Sequence, residues 1–101
     1  MSKATPKIPA WMDLRDDAVT VTLTKPIEAN GVQVDKLTLR APTVRDIRAA
    51  TQVSSGDDEQ RELSLFASLA EVNPKELEVL ALKDYTRLQA GYFRLVQDDE
   101  L

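Results

Sequence analysis

Carboxylates are the side chains in this sequence with the most capacity for chemistry, because the chain has 17 Asp and Glu residues and no histidine or cysteine. Two runs of three stand out, Asp57-Asp58-Glu59 and Asp98-Asp99-Glu100. Glycosidase-type catalysis needs two carboxylates held about 5–10 Å apart in a cleft, one of them with a raised pKa. Runs of consecutive acids are typical of helix starts and solvated surface instead. They also lack the spaced oxygen ligands of a calcium-binding loop.

The missing residue types exclude several classes of site. Without histidine and cysteine there is no Ser–His or Cys–His nucleophile pair. The ligands that zinc and copper prefer are absent too, and so are disulfides. The three glycines do not form a phosphate-binding loop. We therefore expect that the protein is not an enzyme and that it has no catalytic, metal-binding or cofactor-binding residues and no cofactor.

Charge is unevenly divided along the chain. The net charge is −4, and residues 49–101 hold eleven acidic and five basic residues. Such an acidic half repels a phosphate backbone, so nucleic acid is not an expected partner, whereas a basic or mixed-charge protein is. No apolar run approaches the roughly 18 residues of a membrane span, and the N-terminus lacks a signal peptide's apolar segment. We expect a cytoplasmic protein with no membrane partner.

The first half of the sequence predicts a β-hairpin. Residues 19–24 alternate apolar and polar side chains, most of them β-branched, as in a half-buried strand whose Val19, Val21 and Leu23 face inward. Asn30-Gly31 is a favoured type I′ turn pair, and the return strand covers residues 32–40. The apolar positions of that strand change parity, which predicts a bulge near Asp35-Lys36. Pro26, opposite, should lie at a bulge or an edge.

The second half predicts helices. Thr43 and Asp46 have the spacing of a capping box, which begins a helix over 44–53 with Val44, Ile47 and Ala50 toward the core. Three further helices are predicted. The first begins at Asp57-Asp58-Glu59 and runs to about residue 71, and the others cover about 74–80 and about 83–97. The second helix should bury Leu63, Phe66, Leu69 and Ala70, with Leu65 on a flank. The last should bury Tyr85, Leu88, Tyr92, Leu95 and Val96, and its Gly91 either weakens it or allows a close approach.

These elements specify a small α+β domain, with an N-terminal two-stranded β-hairpin packed against three to four C-terminal helices. The domain should cover residues 19–97. Residues 1–18, which contain Pro6 and Pro9, read as a mostly disordered arm, and residues 98–101 as an acidic tail.

Five residues are candidates for partner binding. Trp11 and Met12 are large apolar groups in a polar segment, so they either fold back onto the domain or dock on a partner. Arg45 and Arg48 share a helix face and either lie on a solvated surface or form a cationic patch for an acidic partner. Phe93, adjacent to the apolar stripe of the last helix, could border a groove for a partner helix.

Three segments carry a family resemblance: Leu-Thr-Lys-Pro-Ile (23–27), Leu-Thr-Leu-Arg-Ala-Pro-Thr-Val-Arg-Asp (37–46) and Asn-Pro-Lys-Glu-Leu-Glu-Val-Leu-Ala-Leu-Lys-Asp-Tyr (73–85). In their order and spacing they resemble the tail assembly chaperones of Mu-like and related tailed phages and prophages. The resemblance covers about residues 19–97.

The resemblance implies a protein that acts in tail morphogenesis, in the host cytoplasm, and is absent from the mature virion. It implies binding to the tape measure protein, which is kept soluble, and recruitment of tail tube protein. Weak association of the chain with further copies of itself is compatible with this resemblance. Two alternatives stay open at this point: a structural tail or completion component of the virion, and a small host-directed regulatory protein.

Overall fold

The computed structural model describes residues 8–97, so the predicted acidic tail 98–101 and the first seven residues of the arm lie outside the described residues. Three antiparallel strands come first: β1 (Met12–Leu14), β2 (Ala18–Ala29) and β3 (Val32–Arg40), in the sheet order β1-β2-β3. Four helices follow, α1 (Val44–Ser54), α2 (Asp58–Ala70), α3 (Pro74–Leu77) and α4 (Leu82–Val96). The α+β class is confirmed.

The hairpin is confirmed at its turn and along its inner face. Asn30 and Gly31 have φ values of 55° and 81°, as a type I′ turn requires. Val19 and Val21 on β2 and Leu39 on β3 have no exposed surface. The alternation of apolar and polar residues therefore sets which face of the sheet meets the helices.

The predicted irregularity lies where the parity changes, although the extra residues belong to β2 and not to β3. Thr22 pairs with Lys36 and Ile27 with Val34, so residues 23–26 face a single residue, Asp35. Pro26 lies in this stretch, where its missing N–H costs no ladder hydrogen bond.

The prediction of only two strands is wrong, and so is that of an irregular arm up to residue 18. Met12–Leu14 pairs antiparallel with Val19–Val21 and makes β2 the central strand. The Trp11 carbonyl also accepts a hydrogen bond from Thr22 N at 2.8 Å. Three residues are too few for alternation to be visible in the sequence, and Met12 is held by burial against the core.

The helices cover one face of the sheet: α4 packs on β2, α2 packs on β3, and α1 packs against α2. Phe66 is at the centre, with its ring centroid 5.7 Å from that of Tyr85 and 5.1 Å from that of Tyr92. Three predicted positions are wrong. Val96, expected in the buried stripe of the last helix, is 44% exposed at the end of α4. Val44 is 76% exposed because the shared face of α1 and α2 begins one turn later, and Leu65 is buried rather than on a flank.

Gly91 lets α4 lie close to the sheet. A Cβ at this position would be 3.0 Å from Cγ2 of Val21 and 3.4 Å from Cγ2 of Val19. Of the two alternatives for this glycine, the close approach is present, and the missing Cβ lets α4 lie near β2.

Candidate partner-binding surface

A groove opens between α2, the segment between α3 and α4, and the first turns of α4. We call it the acidic groove. Its volume is about 460 Å³. It is lined by Glu59, Glu62, Leu63, Leu77, Glu78, Leu80, Leu82, Tyr85 and Gln89. The lining thus combines apolar side chains with three carboxylates and has no basic residue.

Glu62 is held in place within the acidic groove. Its Oε1 accepts a hydrogen bond from the Tyr85 hydroxyl at 2.9 Å and another from Gln89 Nε2 at 2.8 Å. Burial, with the carboxylate of Glu62 as a second cause, raises the pKa of Tyr85 well above its usual range. The phenol therefore stays protonated and donates. Among the described residues, none hydrogen-bonds the second oxygen of Glu62.

The α4 wall of the acidic groove continues as an exposed stripe. Leu82, Gln89, Phe93 and Val96 are separated by seven, four and three positions, so they lie on one side of the helix. Leu82 is 80% exposed and Phe93 is 62% exposed. We call these four residues the α4 stripe. Exposed apolar groups aligned along one helix are typical of an interaction surface.

A buried carboxylate that the sequence reasoning missed positions the start of α4. Asp84 has no exposed surface, and it accepts hydrogen bonds from Thr24 N at 2.9 Å, Thr24 Oγ1 at 3.0 Å and Lys25 N at 3.1 Å. Burial alone would raise the pKa of Asp84, but these donors outweigh it and the pKa lies below its usual range. The donors are free because the β2–β3 ladder is interrupted here, and the predicted bulge was the available signal.

Trp11 and Met12 are used by the fold. The Arg87 guanidinium lies 4.9 Å from the Trp11 ring centroid, and its Nη1 donates to the Thr22 carbonyl at 2.8 Å. Trp11 is half-buried and Met12 is only 6% exposed. The fold-back interpretation describes both residues, and Met12 cannot reach a partner while β1 stays in the sheet.

Arg45 and Arg48 lie apart from the acidic groove. They are exposed on the outer side of α1 and line a shallow surface with Val44, Ala49 and Gln52. We call this surface the α1 face. Asp46 does not pair with either arginine, because it binds Arg40 through two hydrogen bonds of 2.8 and 3.0 Å.

The candidate residues therefore fall in three places. Phe93 belongs to the α4 stripe, Arg45 and Arg48 to the α1 face, and Trp11 and Met12 to the β1 edge of the sheet. Within residues 8–97, no group of acidic side chains is arranged to hold a metal ion. No helix in that range is long and apolar enough to cross a membrane.

The comparison with protein families agrees with this arrangement of a hairpin followed by helices. The family described as "Phage tail assembly chaperone proteins, E, or 41 or 14" matches residues 20–97. The chain belongs to the phage tail assembly chaperone family. The match begins within β2, so β1 lies outside it. No curated protein and no solved structure matches the chain.

Proposed function

We propose that this tail assembly chaperone binds the tape measure protein during tail morphogenesis and keeps it soluble until the tail tube assembles around it. Before assembly, a long helical protein exposes apolar stripes that would otherwise aggregate. The observation that carries the proposal is the acidic groove with the adjoining α4 stripe. Together they offer exposed Leu82 and Phe93 to a partner helix, and the groove that Leu82 lines carries three carboxylates.

The surface suits a reversible contact. Its apolar side chains stand on one helix and the edge of one groove, so each copy covers only a short stretch of a partner. Contacts of this size are weak individually, and many copies on one long partner supply avidity. Tail tube protein could then displace the chaperone stepwise. This function places the chain in the cytoplasm of the bacterial host and not in the mature virion.

The experiment is co-expression of the tape measure protein encoded nearby, with and without this chain. We expect the soluble fraction of tape measure protein to rise several-fold, with several copies of the chain in each soluble complex. Unchanged solubility together with no co-purification would contradict the proposal. Recovery of the chain from purified particles by mass spectrometry would favour a structural virion component instead.

Two double variants locate the contact. Leu82→Ser with Phe93→Ser removes the apolar groups of the α4 stripe. Val44→Ser with Val53→Ser removes apolar groups of 76% and 67% exposure from α1 and serves as the matched control. We expect the first pair to lose most of the solubilisation and the second to keep it. The reverse result would move the binding surface to α1.

A further inference from the structure

We infer that the acidic groove selects a basic amphipathic helix, one whose apolar stripe is flanked by lysine or arginine. This inference rests on the proposed function and names the kind of tape measure segment that the chaperone recognises. It follows from the charges, the fixed hydrogen bonds and the length of the surface.

The charges lie on two sides of an apolar floor. Glu59 and Glu62 are three residues apart on α2 and face the same way. Glu78 lies on the opposite side, on the segment that leads from α3 to α4. A helix lying between them with its apolar side on Leu82 would bring its flanking positions next to carboxylates. Basic residues at those positions are attracted, and acidic ones are repelled.

The carboxylate of Glu62 is positioned to accept a hydrogen bond from a basic side chain of the occupant. Because the Tyr85 hydroxyl and the Gln89 amide both bind its Oε1, its orientation is set before a partner arrives. A lysine or arginine of the occupant can bind the second oxygen without breaking either hydrogen bond. A charge-assisted hydrogen bond to a carboxylate already held in place loses less side-chain entropy than one to a free surface glutamate.

The length of the surface sets the length of the occupant. From Leu82 to Phe93, α4 rises about 16 Å at about 1.5 Å per residue. An occupant that follows this wall therefore needs about three helical turns. Its apolar residues would recur every three or four positions, as in other helix-in-groove complexes.

The test uses the full chain and three synthetic helical peptides of about 18 residues. The first has a leucine stripe flanked by lysines, the second has the same stripe flanked by glutamates, and the third has the composition of the first with the stripe scrambled. We expect the lysine peptide to bind at least tenfold more tightly than the other two, as measured by fluorescence anisotropy. Its affinity should fall as salt is raised.

A pair of triple variants separates local charge from net charge. The triple variant Glu59→Gln, Glu62→Gln and Glu78→Gln should bind the lysine peptide about tenfold more weakly than the native chain. Asp16→Asn, Asp17→Asn and Glu28→Gln change net charge equally at exposed positions that do not line the acidic groove, and affinity should stay within twofold. Equal loss in both triple variants would overturn the inference, and so would equal affinity for the lysine and glutamate peptides.

The outcomes also separate this inference from the proposed function. If the chain solubilises tape measure protein but does not discriminate between peptides, charge selection is wrong and the proposed function stands. If the lysine peptide binds while tape measure protein stays insoluble, the proposed function fails. If the chain self-associates and Arg45→Glu with Arg48→Glu abolishes this, the occupant is the α1 face of a second copy, and the inference is overturned.

Discussion

The first turns of α1 and α4 have similar sequences but make different contacts with the rest of the domain. Each begins with an exposed aliphatic residue, Val44 at 76% and Leu82 at 80% exposure. Each has an aspartate at its third position, Asp46 in α1 and Asp84 in α4. From the sequence alone, both aspartates read as acids that favour a helix N-terminus.

The two carboxylates turn in opposite directions. Asp46 turns back, accepting from Thr43 N at 2.8 Å and binding the Arg40 guanidinium at the surface. Asp84 turns inward and takes the free N–H groups of Thr24 and Lys25 on β2. Both carboxylates therefore tie a helix to the sheet, but in different surroundings: Asp46 caps its own helix and binds Arg40 at the exposed end of β3, whereas Asp84 binds backbone N–H groups of β2 in the interior.

This difference explains why one exposed aliphatic residue lies in a groove and the other does not. Asp84 and the close approach at Gly91 hold α4 against β2, and Leu82 lines the acidic groove together with Glu59 and Glu62 of α2. The α1 helix packs mainly on α2, and Val44 lies on an open, shallow, basic surface. Under the proposed function, anchorage of the helix, rather than exposure of one residue, distinguishes the docking surface from the α1 face.

The largest expected effect is on stability, from Asp84→Asn. Asparagine has the same shape, but its Nδ2 is a hydrogen-bond donor. It would face one of the two backbone N–H groups that now donate to Asp84, so two donors would meet. We expect a loss of about 2 kcal/mol in the free energy of unfolding, measured in urea. Asp46→Asn is the matched control and should shift the urea midpoint less, since its partners are exposed to water. An equal shift for both variants would contradict the difference drawn between them.

Acid should remove the contribution of Asp84. The pKa of this group is lowered by folding, so its stabilisation is fully present above the unfolded pKa of about 3.9. It is then lost as the pH falls through that value toward the folded pKa. We expect the urea midpoint of the native chain to fall between pH 5 and pH 3, and that of Asp84→Asn to fall less steeply. Parallel pH profiles for the two proteins would argue against the inward carboxylate.

The smallest effect concerns Gly91→Ala. Alanine in a helix interior is normally favoured over glycine by about 1 kcal/mol. Here the new Cβ would meet the buried, branched side chains of Val21 and Val19, which have little room to move. We expect no gain in thermal stability, or a loss below about 1 kcal/mol. As a reference, Ala90→Gly at the neighbouring exposed position should cost about 1 kcal/mol. A clear rise in melting temperature for Gly91→Ala would show that α4 can lift from the sheet.

Local patterns in the sequence were sufficient for much of the fold. Alternation in 19–24, the Asn30-Gly31 pair and the Thr43–Asp46 capping box each act within a few residues, and each appears in the structure. The strand β1 could not be predicted because three residues carry no period. The role of Asp84 could not be predicted because its partners are about 60 residues away in the chain.

The candidate site was predictable only in part. Phe93 was found as a residue beside the apolar stripe, and it is exposed. Leu82 was not found because exposure of a leucine at a helix start cannot be read from periodicity. The acidic groove itself depends on how α2, α3 and α4 pack, which no local pattern in the sequence specifies.

The most direct test of the account is photo-crosslinking of the complex with tape measure protein from two glutamine positions. Gln89 lines the acidic groove and Gln52 lines the α1 face, and both are exposed. With p-benzoylphenylalanine replacing one or the other, the account predicts crosslinks to tape measure protein from position 89 and few or none from position 52. Crosslinks mainly from position 52 would contradict it.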